Sequence, residues 1–421
     1  MACAVCLTPL NTLDDTYIHP LGLRTDRRHQ PVPVPATSLD TVRRTCDFCS
    51  DPHPIWTLTG GDLAAVITST TTGGELVQNY GDRWAACTPC YQHIRQRRYD
   101  RLTERALRTL RALDPAARSK VAELHRQFLA GLQPGRALIT TTAWPATATT
   151  ARDLPRIRDR LADFLHGSIT LPGHLDIDRN DHGRQLERGR LYWVDPTFTD
   201  LATIAATNLP TVTVHADLAP DETGLLAWAA PIGDSAAVTW TTTDAAIHLV
   251  RYRNIGGGLD EQLLQTVRHD VGWLAPIATH VLPVGSRLND KQPTGVAAVL
   301  ATWLLIGQAA AETSAIEIDK PTRKRYVRQN RRLPEVRLVR LRSSGQVSPG
   351  DPRRQSQTEG RAPAERVWVT GHWRNQPYGP RRALRRPTYI HPFLRGPEDA
   401  PIKLSTTVRI LSDGPLKQDD N

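Results

Sequence analysis

Residues 224–252 read GLLAWAAPIGDSAAVTWTTTDAAIHLVRY, a stretch dominated by apolar, aromatic and β-branched residues. Turn-favouring Pro, Gly, Asp and Thr divide it into three strand-like segments: residues 224–229, 236–240 and 246–252. Further strand-like segments lie at 191–194 and 211–215, and helix-like segments lie at 198–208 and 295–311. This mixture predicts an α+β domain with a mostly antiparallel sheet over residues 153–317.

The most apolar window, residues 295–311, carries no charge. It is shorter than the ~20 residues that span a bilayer, so it predicts a buried helix. The first ten residues, MACAVCLTPL, lack the basic and long apolar regions of a signal peptide. We therefore expect a cytoplasmic protein with no membrane partner.

The six cysteines form three pairs with the same spacing: Cys3/Cys6, Cys46/Cys49 and Cys87/Cys90. Two thiolates separated by two residues can bind one zinc ion, and two such pairs complete a tetrahedral site. Cys46, Cys49, Cys87 and Cys90 predict such a site in a long zinc ribbon, with strand-like segments between the pairs. A redox role is less favoured, because none of the pairs follows a strand in a βαβ pattern.

Cys3 and Cys6 need two more ligands for a second site, and the nearest candidates are His19 and His29. The proline-rich residues 30–35 give this pairing little geometric support. Surface or core histidines, or a different partition of the three cysteine pairs, are the alternatives.

Two segments resemble motifs that recur in uncharacterised actinobacterial proteins, some of them encoded by phages and plasmids. The first is CDFCSDPHPIW (residues 46–56) with RWAACTPC (83–90), and the second is the basic run that begins VTGHWRNQPYGP at residue 369. The resemblance implies an actinobacterial or mobile-element origin. It implies no activity and no catalytic residue.

The formal net charge is +10, and the excess positive charge lies after residue 318. Between positions 320 and 395 the acidic residues are Glu335, Asp351, Glu359 and Glu365. A localised basic region favours an acidic partner such as the phosphates of a nucleic acid.

Residues 367–396 combine arginine, aromatic residues and histidine with no acidic residue. Two strands, 366–370 and 387–391, joined by a long basic loop are expected here. The candidate phosphate contacts are Arg374, Arg381, Arg382, Arg385 and Arg386. The candidate stacking residues are Trp373, Tyr378 and Tyr389. The sequence therefore predicts a zinc-containing protein that binds DNA or RNA through a small β-rich C-terminal module.

The alternative enzyme is a metal-independent ribonuclease of the toxin kind that uses the same stretch. Proton transfer would fall to His372 and His391, and charge stabilisation to Arg374 and Arg385, with Tyr378 orienting the phosphoryl group. A second alternative is a regulator that contacts only other proteins.

Two other patterns have ordinary explanations. The loop with His174, Asp176, Asp178, Asp181 and His182 resembles a metal cluster, but turn-forming residues in a Gly-containing loop explain the same letters. Residues 254–259, NIGGGL, lack the Lys and Ser/Thr of a phosphate-binding loop and predict a hairpin or hinge.

Periodic apolar residues predict two helices in 91–132 with a break at 114–115, both in a cysteine-rich N-terminal domain. The predicted divisions of the chain are residues 1–139, a linker at 140–152, the central domain at 153–317, a basic module at 318–411 with a flexible insertion at 343–364, and a tail at 412–421.

Overall fold

The computed structural model describes residues 1–13, 16–19, 29–36, 39, 42–68, 75–110, 115–289, 291–308, 311–341, 367–369, 371–382, 384–391, 393–395 and 397. The predicted insertion at 343–364 and the tail at 412–421 lie outside these residues.

The N-terminal region is built on one long β-hairpin followed by helices. Its elements are β1 (Ala2–Cys3), β2 (Asn11–Leu13), β3 (Thr16–Ile18), β4 (Pro33–Val34), β5 (Trp56–Thr68), β6 (Glu75–Ala86), α1 (Thr88–Arg95), α2 (Tyr99–Leu110), α3 (Pro115–Ala130) and β7 (Ala137–Leu138). β5 pairs with β6 and β7, and β1 pairs with β4. The sequence predicted two helices here. The break between α1 and α2 was missed, and Arg97, with a φ of 55°, lies in it.

The hairpin buries one face against α3. Trp84 stacks on Phe128 with ring centroids 4.4 Å apart. A Cβ at Gly60 would lie 2.6 Å from the Phe128 carbonyl oxygen, so β5 needs a glycine where α3 approaches it. This close approach fixes the hairpin on the helix.

The central region has a mixed sheet with helices on both faces. Its elements are α4 (Leu154–His166), α5 (Arg179–Arg188), β8 (Arg190–Val194), α6 (Pro196–Thr207), β9 (Val212–Thr213), β10 (Thr223–Ile232), β11 (Ser235–Thr242), β12 (Ala246–Asn254), α7 (Glu261–Asp270), β13 (Leu274–Pro283), β14 (Arg287–Leu288), α8 (Thr294–Ile306), β15 (Ala311–Ile316), α9 (Lys320–Arg328) and β16 (Val336–Leu341).

Seven strands form this sheet in the order β13-β12-β11-β10-β8-β16-β15. β8 runs parallel to both β10 and β16, and the other neighbouring pairs are antiparallel. The predicted α+β class with a mostly antiparallel sheet is confirmed. The short β9 pairs with β14 outside the sheet.

The two sheet faces bury separate sets of side chains because successive strand residues point in opposite directions. Leu191 joins a cluster with α4, whereas its neighbour Tyr192 joins a cluster with α6 and α8. Nearly every residue of α8 is buried, as predicted for residues 295–311. Among the described residues, no helix is both long enough and apolar enough to cross a bilayer.

The central sheet extends past the predicted division at 317/318, because β16 lies between β8 and β15. Residues 140–150 form neither helix nor strand, yet they are packed in place. The Thr142 carbonyl accepts a hydrogen bond from Arg253 at 3.2 Å, and a Cβ at Gly257 would lie 1.8 Å from the Pro145 carbonyl oxygen. One cluster of buried side chains also continues from Cys46 to Val336.

The C-terminal part has two separate two-stranded sheets: β17 (Val367–Val369) pairs with β20 (Phe393–Arg395), and β18 (His372–Tyr378) pairs with β19 (Leu384–Ile390). The predicted long basic loop is therefore wrong, since residues 372–378 form a strand. We call the β18–β19 hairpin the ribbon.

Candidate metal centres and a basic ribbon

Cys46, Cys49, Cys87 and Cys90 converge as predicted. All four are buried, and their sulfur atoms lie within 4.8 Å of one another. The Cys49 and Cys87 sulfurs are 3.7 Å apart. This is far beyond the ~2.05 Å of a disulfide. It matches the ~3.8 Å between two ligands at ~2.3 Å from a tetrahedral zinc.

Two different local structures present these sulfurs. Cys46 and Cys49 lie in a tight turn in which the Ser50 amide donates to the Cys46 carbonyl at 2.6 Å, with Ser50 at a φ of 60°. Cys87 is the N-cap of α1, and Cys90 lies in its first turn. A helix N-terminus favours negative charge and so favours thiolate ligands. The second pair thus begins a helix and does not occupy the second turn of a zinc ribbon.

Polar neighbours surround the four sulfurs. The Cys87 amide donates to the Cys46 sulfur at 3.3 Å. Arg105 of α2 lies 3.8 Å from the Cys87 sulfur and donates to Asp51 at 2.9 Å. Burial lowers the pKa of Arg105, but the sulfurs of Cys87, Cys49 and Cys90 raise it by more, so the net shift is upward. This guanidinium offsets part of the charge that four thiolates would bring.

The donor set fits a divalent metal. Burial raises the pKa of Cys46, whereas hydrogen bonds from Cys46, Cys87 and Cys90 lower that of Cys49. Four sulfurs this close cannot all ionise without a cation between them, since like charges oppose one another. A bound metal ion would offset the repulsion between the thiolates, and all four could coordinate it.

A second cluster joins Cys3, Cys6, His19 and His29, whose ligand atoms also lie within 4.8 Å of one another. The Cys3 sulfur is 3.3 Å from His29 Nε2, and the Cys6 sulfur is 3.3 Å from His19 Nε2. Only Cys3 of the four is fully buried, so this site is more open than the first. The weak geometric support for a histidine pair in the sequence was therefore misleading. His29 joins the site through contacts distant in sequence.

The first pair repeats the turn of Cys46 and Cys49. The Leu7 amide donates to the Cys3 carbonyl at 2.8 Å, and Leu7 has a φ of 61°. Burial raises the pKa of Cys3, but hydrogen bonds from the backbone and from His19 lower it to about 5. Both turns thus use a left-handed residue directly after the second cysteine.

The ribbon is anchored by two residues that the sequence had assigned to base stacking. Trp373 and Tyr389 are directly opposite each other, with ring centroids 5.2 Å apart. The indole Nε1 of Trp373 donates to the Ala205 carbonyl in α6, and the Tyr389 amide donates to Gln308 Oε1 at 3.2 Å. Tyr389 is 3% exposed. Its assignment as a stacking residue is wrong, because its ring packs into the core between ribbon and helices.

The five ribbon arginines are all exposed. Tyr378 is 44% exposed, and the Arg386 guanidinium lies 5.5 Å from its ring centroid. Arg381 and Arg382 form the turn, both with positive φ. None of the five ribbon arginines, which are Arg374, Arg381, Arg382, Arg385 and Arg386, forms an ion pair with any residue that the structure describes.

The candidate catalytic residues are split between two faces. His372 lies opposite Ile390, so His372, Arg374 and Tyr378 share one face. His391 packs edge-on against Tyr389 on the other face, at 5.8 Å between ring centroids, and Arg385 alternates with Arg386 onto that face. A general acid and a general base must reach one phosphodiester group. The predicted ribonuclease site is therefore not assembled.

The histidine and aspartate loop at 174–182 serves the fold. Asp178 caps α5 by accepting from the Asp181 amide, and Asp181 pairs with Arg184 at 3.3 Å. His182 hydrogen-bonds the Tyr252 hydroxyl at 2.9 Å beneath the sheet. Helix capping and a hydrogen bond to the sheet, and not the predicted loop turns, explain Asp178, Asp181 and His182, because Arg179–Arg188 is a helix.

The basic residues of α9 are partly neutralised. Arg325 of α9 and Arg331, which follows the helix, both contact Asp159 of α4, at 2.8 Å and 3.0 Å, and Tyr326 donates to the same carboxylate. These arginines fix α9 to α4. Lys320, Lys324 and Arg328 of α9, like the ribbon arginines, form no ion pair with a residue that the structure describes.

Comparison of the chain with protein-family models, curated proteins and solved structures gave no significant match. The resemblance to actinobacterial proteins stays a prediction from the two motifs.

Proposed function

We propose that this protein is a zinc-containing nucleic-acid-binding protein that contacts phosphates with its ribbon. The observation that carries the proposal is the set of five ribbon arginines without ion pairs among the described residues. Elsewhere, arginines such as Arg105, Arg136 and Arg251 are paired with carboxylates. Unpaired guanidiniums on an acid-free surface suit phosphate oxygens.

The shape of the ribbon supports the same proposal. A two-stranded β-ribbon fits the major groove of duplex DNA, where arginine can also reach base edges. An isolated hairpin is marginally stable in water, so its contacts to α6 and α8 hold it in a binding-ready position. Exposed Tyr378 offers a ring for an unpaired base.

Zinc is the metal we propose for the four-cysteine site, because four thiolates in tetrahedral arrangement are typical of closed structural zinc sites. The metal would hold the turn at Cys46, the β5–β6 hairpin and α1 together. Its role is structural, and the ribbon makes the contacts.

The test compares two variants with the same net charge. One replaces Arg381, Arg382, Arg385 and Arg386 of the ribbon by Gln. The control replaces Arg126, Arg184, Arg323 and Arg340 by Gln, each an arginine in a surface ion pair. Fluorescence anisotropy with labelled duplex DNA, single-stranded DNA and RNA, across a salt series, measures affinity.

We expect the ribbon variant to lose at least tenfold in affinity, and its salt slope on duplex DNA to fall by about 3 to 4, since each phosphate contact contributes about 0.9. The control should stay near wild type. Equal losses in both variants would show that total charge alone is responsible. Absence of binding to all three probes by wild type would favour a protein-interaction regulator.

Removing the chain beyond residue 310 is a poor substitute for this test. That deletion would also remove β15 and β16 and expose the edge of β8. Point variants of the ribbon keep the sheet intact.

A further inference from the structure

A cleft of about 970 Å³ lies between the N-terminal hairpin and the central sheet. Residues 134–141 form its floor, and residues 170–174 and part of the sheet form the far side. This volume lies within the ~300–1,000 Å³ range of small-molecule sites. The ribbon does not contribute to it.

The hairpin wall of the cleft is polar and basic. Thr59 and Arg83 are directly opposite each other on β5 and β6, so they share one face, while their neighbours Leu58 and Trp84 are buried on the other. Both Thr59 and Arg83 line the cleft. One face of the hairpin therefore packs in the core around the cysteines, and the opposite face lines the cleft.

Arg44 lies beside Arg83 in the same wall. The Arg44 side chain is exposed, but partial desolvation by neighbouring protein atoms lowers its pKa; Asp47 raises that pKa, and the positive charge of Arg83 lowers it further. Arg44 forms no ion pair with a described residue, and the only such partner of Arg83 is the exposed Asp82 at 4.0 Å. Two guanidiniums thus line one space, and within the described part of the chain neither forms a close ion pair.

The sheet wall supplies a third, fixed cation. Arg251 is buried and donates to Asp234 at 2.7 Å, to Ser235 Oγ at 2.9 Å and to His280 Nε2 at 3.0 Å. Asp234 also pairs with Arg253 at 3.5 Å. One carboxylate, that of Asp234, therefore contacts both Arg251 and Arg253.

We propose that this cleft binds the phosphate chain of a nucleoside polyphosphate, with Arg44 and Arg83 as the exposed contacts and Arg251 as the buried one. Guanidinium groups form paired hydrogen bonds with phosphate oxygens. Among the described residues that line the cleft, His174 carries the only aromatic ring. Recognition thus rests on the phosphates, and the identity of the base contributes little.

Isothermal titration calorimetry with inorganic pyrophosphate, ATP, UTP and unphosphorylated thymidine tests this inference. We expect pyrophosphate and the two nucleotides to bind within a few-fold of one another and thymidine not to bind. The double variant Arg44→Gln, Arg83→Gln should weaken pyrophosphate binding at least tenfold. Exposed Arg188, which does not line the cleft, gives the control Arg188→Gln, which should bind like wild type.

The inference is overturned if wild type does not bind millimolar pyrophosphate, or if the double variant binds it as tightly as wild type. Thermal melting confirms that both variants are folded, and Arg83→Gln alone, at a highly exposed position, replaces the double variant if that one unfolds. The four-arginine ribbon variant should keep pyrophosphate binding. If that variant loses pyrophosphate binding, the phosphate site lies on the ribbon and the cleft proposal is wrong. If it loses only DNA binding, the cleft proposal is unaffected.

Discussion

The indole nitrogen of Trp373 lies 3.0 Å from the carbonyl oxygen of Ala205, a hydrogen bond between the C-terminal ribbon and helix α6. An exposed hairpin is thereby fixed to a helix that belongs to one of the buried clusters of the central region. Residues of the ribbon divide into those that hold it and those that remain available for a ligand.

Substitutions of Trp373 and Tyr378 should separate the anchoring of the ribbon from its binding of a ligand. Trp373→Ala should lower the free energy of unfolding by about 2–4 kcal/mol, because it removes a large packed ring and a hydrogen bond. Tyr378→Ala should leave stability nearly unchanged and weaken binding to single-stranded DNA about tenfold, within the usual ~1–3 kcal/mol of a stacked base. Chemical denaturation and anisotropy measure the two effects. A melting temperature that falls for Tyr378→Ala and not for Trp373→Ala would reverse our assignment.

Metal content should respond differently to substitutions in the two cysteine clusters. We expect two zinc ions in the wild-type chain and one in Cys6→Ser, which disrupts only the more open site. Cys87→Ser should lose the buried ion and fold poorly, since metal binding at such a site is coupled to folding. Elemental analysis of native protein, together with circular dichroism, checks these values. A metal-free wild-type protein that still melts cooperatively would contradict the structural role.

Arg105 should tune the buried metal site without being a ligand. Arg105→Ala removes the contact to Cys87 and leaves Asp51 without its 2.9 Å partner. Loss of such a supporting contact typically lowers metal affinity about 10–100-fold. Competition with a chromophoric chelator measures it. Arg101 is the control on the same helix, because its pair with Glu104 is exposed, and Arg101→Ala should leave metal affinity unchanged.

The stability of the protein should fall in mild acid through His182. Burial lowers the pKa of His182 from 6.5 to about 4, so between these values the unfolded state binds more protons than the folded state. The free energy of unfolding therefore decreases as pH falls from about 6.5 to about 4, by roughly 3 kcal/mol at about 1.4 kcal/mol for each pKa unit.

Urea denaturation across this pH range checks the expectation. His182→Gln should lose stability at pH 7.5 and show a shallower acid slope. His248 is exposed on β12, and His248→Gln should reproduce the wild-type slope. If His182→Gln keeps the full acid slope, other groups are responsible.

Local spacing was enough to predict the four-cysteine site, because two-residue gaps bring sulfurs together whatever follows. The contribution of His29 was not predictable in this way, since the approach of His29 to Cys3 depends on the pairing of β1 with β4. Pro377 and the flanking glycines argued against a strand at 372–378 in the sequence. The strand forms there because it pairs with β19 and packs on α6. The division of the ribbon into two faces, which separates His372 from His391, followed only from its register.

The position of β8 has a consequence for the order in which the chain acquires structure. This strand pairs on one side with β10 and on the other with β16, which comes from a segment far later in the chain. During synthesis, the cysteine-rich region can take up metal and fold well before residues 336–341 leave the ribosome. Until then β8 keeps an open edge, which is the kind of edge that recruits other chains. Slow translation after β13 would therefore be more harmful to the yield of native protein than slow translation before α4.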